Sequence, residues 1–173
     1  MILDGYWKRE LAHNKRSLKF WLKVGSVFDK YAEHQVNKAI LYSAVIIRKM
    51  FEDEKGAETV LKKGNLPIPP LQLLKYKVKI TAYPFSGDKD FIIERVIPDN
   101  YECSKVYSEE VELNKVCNQI IHSFVWSVAY NQDAKKIHGV LFASDKSKTE
   151  VMYLIMPEEF IKAIDFCIEH GNI

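Results

Sequence analysis

Apolar side chains recur at helical spacing through the first third of the chain. Residues 6–55 contain no proline and only one glycine, Gly25. Spacings of three and four are typical of the buried face of a helix. An unbroken helix of this length is unusual in a small domain, so we expect two helices with a break near Gly25 or within residues 31–35. The interior seam of the second helix is predicted at Val36, Ile40, Ser43, Ile47 and Met50, which alternate at spacings of four and three.

The segment that follows residue 55 shows a weaker helical pattern. It predicts one short helix over residues 57–63, which Gly64 ends. Three prolines follow, at positions 67, 69 and 70, and they stop regular structure. We therefore place a sub-boundary at residues 64–74, between a helical N-terminal part and a mixed C-terminal part, inside a single domain that spans residues 1–173.

Two pairs of strands are predicted beyond this segment. Residues 75–83 alternate, with Tyr76, Val78, Ile80 and Ala82 on one face, and residues 91–97 form the second strand of a hairpin. Residues 137–143 and 150–155 predict a second hairpin around a polar turn. A last helix begins at Pro157 and ends before Gly171.

A central helix is predicted over residues 108–130, with Ser108 as its N-cap and two glutamates in its first turn. Its apolar residues point in more than one direction, so we expect it to be covered on several sides. The elements together predict the α+β class: two long N-terminal helices, then two β-hairpins that form an antiparallel sheet of about four strands, with a central helix and a C-terminal helix.

Composition and charge narrow the functional classes only slightly. The chain has 173 residues, of which 47% are hydrophobic and 28% charged, and a net charge of +2. These values are typical of a globular protein with its own core. The three cysteines form no CxxC pair, and the N-terminus does not have the pattern of a signal peptide. We expect a cytoplasmic protein that is not a membrane protein and uses no cofactor and no metal.

Asn118 and His122 are the best pair of reactive side chains in the chain. At a spacing of four they share one flank of the predicted helix. A histidine there can act as a general acid or base, and Asn118 can orient it or hold a phosphate oxygen. The alternative is that both are satisfied polar groups where this helix meets the N-terminal helices.

Around these two residues the sequence resembles the HEPN family of helical ribonucleases and their inactive relatives. That family carries an arginine, often followed by a polar residue, and then a histidine a few positions later in one helix. Asn118 and His122 match the pattern, but Cys117 stands in place of the arginine. A thiol cannot stabilise the charge that a guanidinium stabilises. The resemblance thus implies a HEPN-like domain that has lost or altered its nuclease chemistry, with two hairpins that the family core lacks.

A basic stripe is predicted on the first helix. Its members fall within about a third of the helix circumference, and they are Lys8, Lys15, Arg16, Lys19, Lys23 and Lys30. Such a stripe can follow a nucleic-acid backbone or dock an acidic protein. It can equally be a solvated helix face.

Three hypotheses follow, and the first is a non-enzymatic binding or regulatory protein. It would be an accessory subunit, for example of a defence system, which docks a larger protein or nucleic acid through the basic helix. The second is a metal-independent ribonuclease or toxin that uses His122 and Asn118, with a cation supplied by Arg48 or by the stripe. The third is nucleic-acid binding alone, to RNA or DNA. A protein partner is expected first, and a homo-oligomer is a further option.

Overall fold

The structure is a computed structural model, and it describes residues 4–25, 29–67, 72–87, 100–131 and 136–171. None of the helices in these ranges is both long enough and apolar enough to cross a membrane. Short 3₁₀ turns cover Leu73–Lys75 and Cys103–Lys105. The main elements, in chain order, are α1 (Asp4–Val24), α2 (Lys30–Lys63), β1 (Lys77–Pro84), β2 (Tyr107–Glu112), α3 (Leu113–Ile121), β3 (Ser123–Asn131), β4 (Lys136–Ser144), β5 (Val151–Ile155) and α4 (Pro157–His170).

The strands form one antiparallel sheet in the order β2-β1-β5-β4-β3, which confirms the α+β class. The predicted hairpin of β4 and β5 is confirmed, with Leu141 opposite Leu154. The sheet has five strands instead of about four, because β2 and β3 arise where a helix was expected. The predicted strand over residues 91–97 lies outside the described residues.

The break between the first two helices is near Gly25, as predicted, whereas the alternative break within residues 31–35 is wrong. A Cβ at Gly25 would lie 2.6 Å from the carbonyl oxygen of Trp21 and 2.8 Å from the Cβ of Ala32, so a side chain has no room there. Asp29 then caps α2, because its carboxylate accepts from the backbone N–H groups of Tyr31 and Ala32.

The separate helix over residues 57–63 is also wrong, because α2 continues through this region to Lys63. Gly56 is exposed in the helix interior, and its cost of about 1 kcal/mol does not interrupt a helix of 34 residues. Gly64 does end the helix, as expected: its N–H donates to the carbonyl oxygens of Lys62 and Val60.

The helices and the sheet share one main hydrophobic core, with members on both sides of residues 64–74. The predicted seam of α2 is buried from Val36 to Met50. On β1, Val78, Ile80 and Ala82 are buried as the alternation predicts. Helix α4 begins with Pro157 at its first turn, and its inner face carries Phe160, Ile164 and Cys167, all fully buried.

The predicted helix over residues 108–130 is the largest error. The chain there forms a strand, a helix of nine residues and a second strand. Ser108 is no N-cap, since it lies in β2 and its hydroxyl donates to the carbonyl oxygen of Ile80 at 3.3 Å. The last part, SFVWSVAYN, is rich in aromatic and β-branched residues, and pairing with β4 satisfies its backbone groups. Tertiary pairing thus outweighs the helical spacing of its apolar residues.

Candidate functional site

His122 is the residue that ends α3, and it does not lie inside a long helix. Its backbone N–H donates to the carbonyl oxygen of Asn118 at 3.1 Å. Its own carbonyl oxygen accepts from the N–H of Asp145, in the turn after β4, at 3.2 Å. Strand β3 begins at the next residue, Ser123. The backbone of His122 is therefore held from two sides while its side chain is exposed.

Arg48 reaches His122 from helix α2. Its Nη1 lies 3.2 Å from Nε2 of the imidazole, and its Nε donates to Oε1 of Glu52 at 3.2 Å. A guanidinium can only donate hydrogen bonds, so Nε2 of His122 must accept and carries no proton in this arrangement. Glu52 fixes one edge of the guanidinium, and Nη2 makes no hydrogen bond to the residues that the structure describes, so it can meet a ligand. The two residues thus combine an unprotonated imidazole nitrogen with an oriented cation.

Both side chains open into a cleft of about 540 Å³ between α2, the end of α3 and the turn after β4. Two cations face this cleft, Arg48 and Lys146. The carboxylate of Asp145 forms an ion pair with Lys148, which offsets its negative charge. Glu52 offsets the charge of Arg48 in the same way, so Lys146 is the cation of the described cleft lining whose charge remains to attract an anion. Its wall is completed by Asn118, Gln119 and Ser144.

Gln119 is a residue of this cleft that the sequence did not reveal. Its Oε1 accepts from the backbone N–H of Ser144 at 3.2 Å and from the hydroxyl of Ser147 at 2.7 Å. Because both bonds use the oxygen, the amide Nε2 makes no hydrogen bond within the described ranges and can donate to a ligand in the cleft. This role of Gln119 depends on its contacts with Ser144 and Ser147, in the turn between β4 and β5. The sequence predicts only a polar turn there.

A smaller hollow of about 170 Å³ extends the cleft on the other side of Arg48. Arg48 and Asn118 line both spaces. The hollow adds Asn114 from α3, and Glu52 and Lys55 from α2. Its lining therefore carries two cations, Arg48 and Lys55, and one carboxylate, Glu52.

Cys117 has no part in this cleft. It is fully buried in the main core, and burial raises the pKa of its thiol well above the usual value, with a further rise from nearby Cys167. The thiol is therefore neutral and turned inward. The guanidinium that reaches His122 is that of Arg48, on another helix.

The basic stripe is shorter than the sequence predicts. Helix α1 ends at Val24, so Lys30 is the first residue of α2 instead of a continuation of the stripe. Lys15 forms an ion pair with Asp165 of α4, and Lys8 is half-buried. The exposed cations of α1 that remain from the predicted set are Arg16, Lys19 and Lys23. None of the predicted stripe lines the cleft at His122.

Within the described ranges, no three His, Cys, Asp or Glu side chains are grouped so that they could hold a metal ion. Comparison of the chain with protein-family models, with curated proteins and with solved structures gives no match. Function is therefore inferred from the geometry of the cleft.

Proposed function

We propose that this protein is a ribonuclease that cleaves single-stranded RNA in the cleft between Arg48 and His122, by acid–base chemistry at His122. The observation that carries this proposal is the 3.2 Å contact between the guanidinium and the imidazole, with His122 exposed in the cleft. An enzyme of this kind needs a histidine that a substrate can reach and a cation close enough to share one phosphate. Arg48 and His122 meet both conditions.

In the proposed reaction His122 transfers the proton and Arg48 stabilises the charge on the phosphate. When the phosphate draws the guanidinium of Arg48 away from Nε2 of His122, the lone pair of that nitrogen is released. Nε2 then takes the proton of a ribose 2′-hydroxyl, and that oxygen forms a bond to the adjacent phosphorus. The bond from phosphorus to the 5′ oxygen breaks, the leaving oxygen takes a proton from water, and His122 returns its proton to solvent. The products are a 2′,3′-cyclic phosphate and a 5′-hydroxyl. The guanidinium of Arg48 stabilises the charge that develops on the phosphate oxygens.

The remaining cleft residues hold the substrate. Nε2 of Gln119 can donate to a phosphate oxygen, because the serines occupy only its Oε1. Lys146 adds a second positive charge at the mouth of the cleft. Asn118 lines the cleft and the adjoining hollow, and its amide can orient a ribose hydroxyl or a phosphate oxygen between them.

The test is cleavage of a labelled RNA oligonucleotide in buffer that contains EDTA. We expect the native protein to release a 2′,3′-cyclic phosphate, and His122→Ala to lower the rate about 10²- to 10⁴-fold. His138→Ala is the matched control, because His138 is an exposed histidine of β4 that does not line the cleft, and it should leave the rate unchanged. Equal rates for native protein and His122→Ala would overturn the proposal, as would the absence of any cleavage.

A second candidate function rests on the exposed face of α1 and the start of α2. Phe20, Val24 and Tyr31 expose 55%, 50% and 61% of their surface, beside the exposed cations Lys19 and Lys23. Large apolar side chains rimmed by charge are typical of an interface with another protein. On this basis we also propose an accessory or regulatory role, in which α1 docks a larger protein.

Purification of the tagged protein from its native host tests the second role, with nuclease treatment in parallel. A stoichiometric protein that survives nuclease and is lost from the variant Lys19→Glu/Lys23→Glu would support docking through α1. Lys62→Glu/Lys63→Glu, at the exposed end of α2, makes the same change of charge elsewhere and should keep the partner. Equal recovery with both variants would exclude α1 as the docking surface.

A further inference from the structure

A second groove adjoins the cleft and has a different chemical character. It has a volume of about 570 Å³ and lies between α2 and the start of β3. Ile121 and Ser123 line the groove, while His122 between them lines the cleft. Consecutive Cα atoms are about 3.8 Å apart, so residues 121–123 at the end of α3 form a wall that the cleft and the groove share.

The groove is lined mainly by apolar and aromatic side chains. Tyr42 of α2 exposes 52% of its surface, and Trp126 of β3 is half-buried against the main core. Leu41, Ile120 and Ile121 complete the apolar lining. Flat aromatic surfaces of this kind stack with nucleobases without strong sequence preference, because every base has a π-face.

A few polar side chains also line the groove, and they can orient a bound ligand. His34 and Asn37 can donate to or accept from the edge of a base. The hydroxyl of Ser123 donates to the backbone carbonyl oxygens of Gln119 and Ile120, so it can only accept from a base. Oδ1 of Asn37 is buried and has no hydrogen-bond partner in the part of the chain that the structure describes, so this amide has unused hydrogen-bonding capacity. The ammonium of Lys38 lies 5.6 Å from the centroid of the Tyr42 ring and brings a positive charge to the rim of the groove.

We infer that this groove binds a nucleobase of single-stranded RNA, that of a nucleotide next to the phosphate held by Arg48 and His122. The inference rests on the proposed function for the position of that phosphate. Leu41 and Arg48 are seven residues apart on α2, two turns of helix, so they share one side at a separation of roughly 10 Å. The cleft and the groove thus offer an anionic ligand and its attached base two neighbouring sites of matching chemistry.

Binding of a 2′-O-methyl oligonucleotide tests the inference, because its blocked 2′-hydroxyl prevents cleavage. Two probes are compared, one with all its bases and one in which the central nucleotides are abasic. We expect Tyr42→Ala to weaken binding of the complete probe about five- to 150-fold, the range measured for loss of base–aromatic stacking. The abasic probe should bind native protein and Tyr42→Ala equally weakly. Tyr107→Ala is the matched control, since Tyr107 is an exposed tyrosine of β2, at the opposite edge of the sheet from β3.

The outcomes separate this inference from the proposed ribonuclease activity. Equal affinity of native protein for the complete and abasic probes would overturn the base site, even if RNA is cleaved, and would leave an apolar peptide as the alternative occupant. An unchanged affinity of Tyr42→Ala for the complete probe would also overturn the base site. Loss of affinity on removal of the base or of Tyr42, in a protein that cleaves no RNA, would support the base site and remove the catalytic role of His122.

Discussion

Nη1 of Arg48 lies 3.2 Å from Nε2 of His122, although 74 positions separate the two residues in the chain. Helix α2 brings the arginine and the end of α3 brings the histidine. Glu52, one turn further along α2, holds Nε of the same guanidinium. The contact therefore needs both helices in their packed positions, and it places one cation beside one unprotonated ring nitrogen.

Replacement of Arg48 should remove most of the cleavage activity. We expect Arg48→Ala to lower kcat/KM about 10²- to 10³-fold, the range for loss of one group that stabilises transition-state charge. Arg48→Lys should recover little, because an ammonium is a compact point charge and lacks the planar fork that contacts His122 and Glu52 together. Steady-state kinetics on an RNA oligonucleotide measures both variants.

Lys49→Ala is the matched control for this prediction. Lys49 is the next residue of α2, is exposed and pairs with Asp53, away from the cleft. Its replacement should leave kcat/KM within about twofold, because a surface ion pair contributes little. Equal losses for Lys49→Ala and Arg48→Ala would mean that general positive charge, and not the contact with His122, supports the activity.

Much of the fold could be predicted because local signals specify it. Pro157 and Gly171 bracket α4, and the alternation of β1 identifies its buried face before any partner is known. The helix over residues 108–130 could not be corrected in this way. Its apolar residues fit helical spacing, and only the pairing of β3 with β4 and of β2 with β1 decides for strands.

The site could be predicted only in part, for the same physical reason. Asn118 and His122 are four residues apart and therefore visible as a pair in the sequence. Arg48 was one of several cations that could have joined them, and only the packing of α2 on α3 decides that Arg48 reaches His122 and that the stripe does not. Gln119 gave no signal, because its role comes from two serines of a distant turn.

Removal of the Gln119 side chain should loosen the turn that forms one wall of the cleft. We expect Gln119→Ala to lower the free energy of unfolding by about 0.5–1.5 kcal/mol, since the N–H of Ser144 and the hydroxyl of Ser147 each lose one acceptor but keep a hydrogen bond to the other serine. A urea titration measures this. Asn118→Ala is the control, because the side chain of Asn118 makes no hydrogen bond with the described residues, and it should change stability by less than about 0.5 kcal/mol. Equal values for the two variants would contradict the role of Gln119.

The three cysteines should differ sharply in reactivity. Cys103 is exposed, whereas Cys117 and Cys167 are fully buried. Burial, with a smaller effect of Glu54, raises the pKa of Cys167 to about 12, and burial also raises the pKa of Cys117. Because the thiolate is the reactive form, one thiol should react with a disulfide reagent in the native protein and all three in denaturant. The variant Cys103→Ser should show no fast thiol, and a second fast thiol in the native protein would contradict the burial of the core cysteines.

Glu54 should make the stability of the protein fall as the pH rises. It exposes 2% of its surface, and neither carboxyl oxygen has a hydrogen-bond partner among the described residues. Burial raises the pKa of this carboxyl above its ordinary value, and a weaker interaction with the backbone of Leu74 opposes the rise. Between the ordinary and the raised pKa, the folded protein keeps the proton and the unfolded chain releases it. The folded state then binds more protons, so the free energy of unfolding decreases with pH across this window.

Glu54→Gln removes this titration and should flatten the decrease, as measured by urea titrations from pH 4 to pH 8. Glu54→Met also removes the unpartnered polar group at similar length, and we expect it to raise the free energy of unfolding at pH 7 by about 1–3 kcal/mol. Glu110→Gln is the control, because Glu110 is an exposed carboxyl of β2 and should leave the pH dependence of the native protein in place. A pH dependence that persists unchanged in Glu54→Gln would show that another group causes it, and a loss of stability in Glu54→Met would show that this carboxyl has a partner in solution.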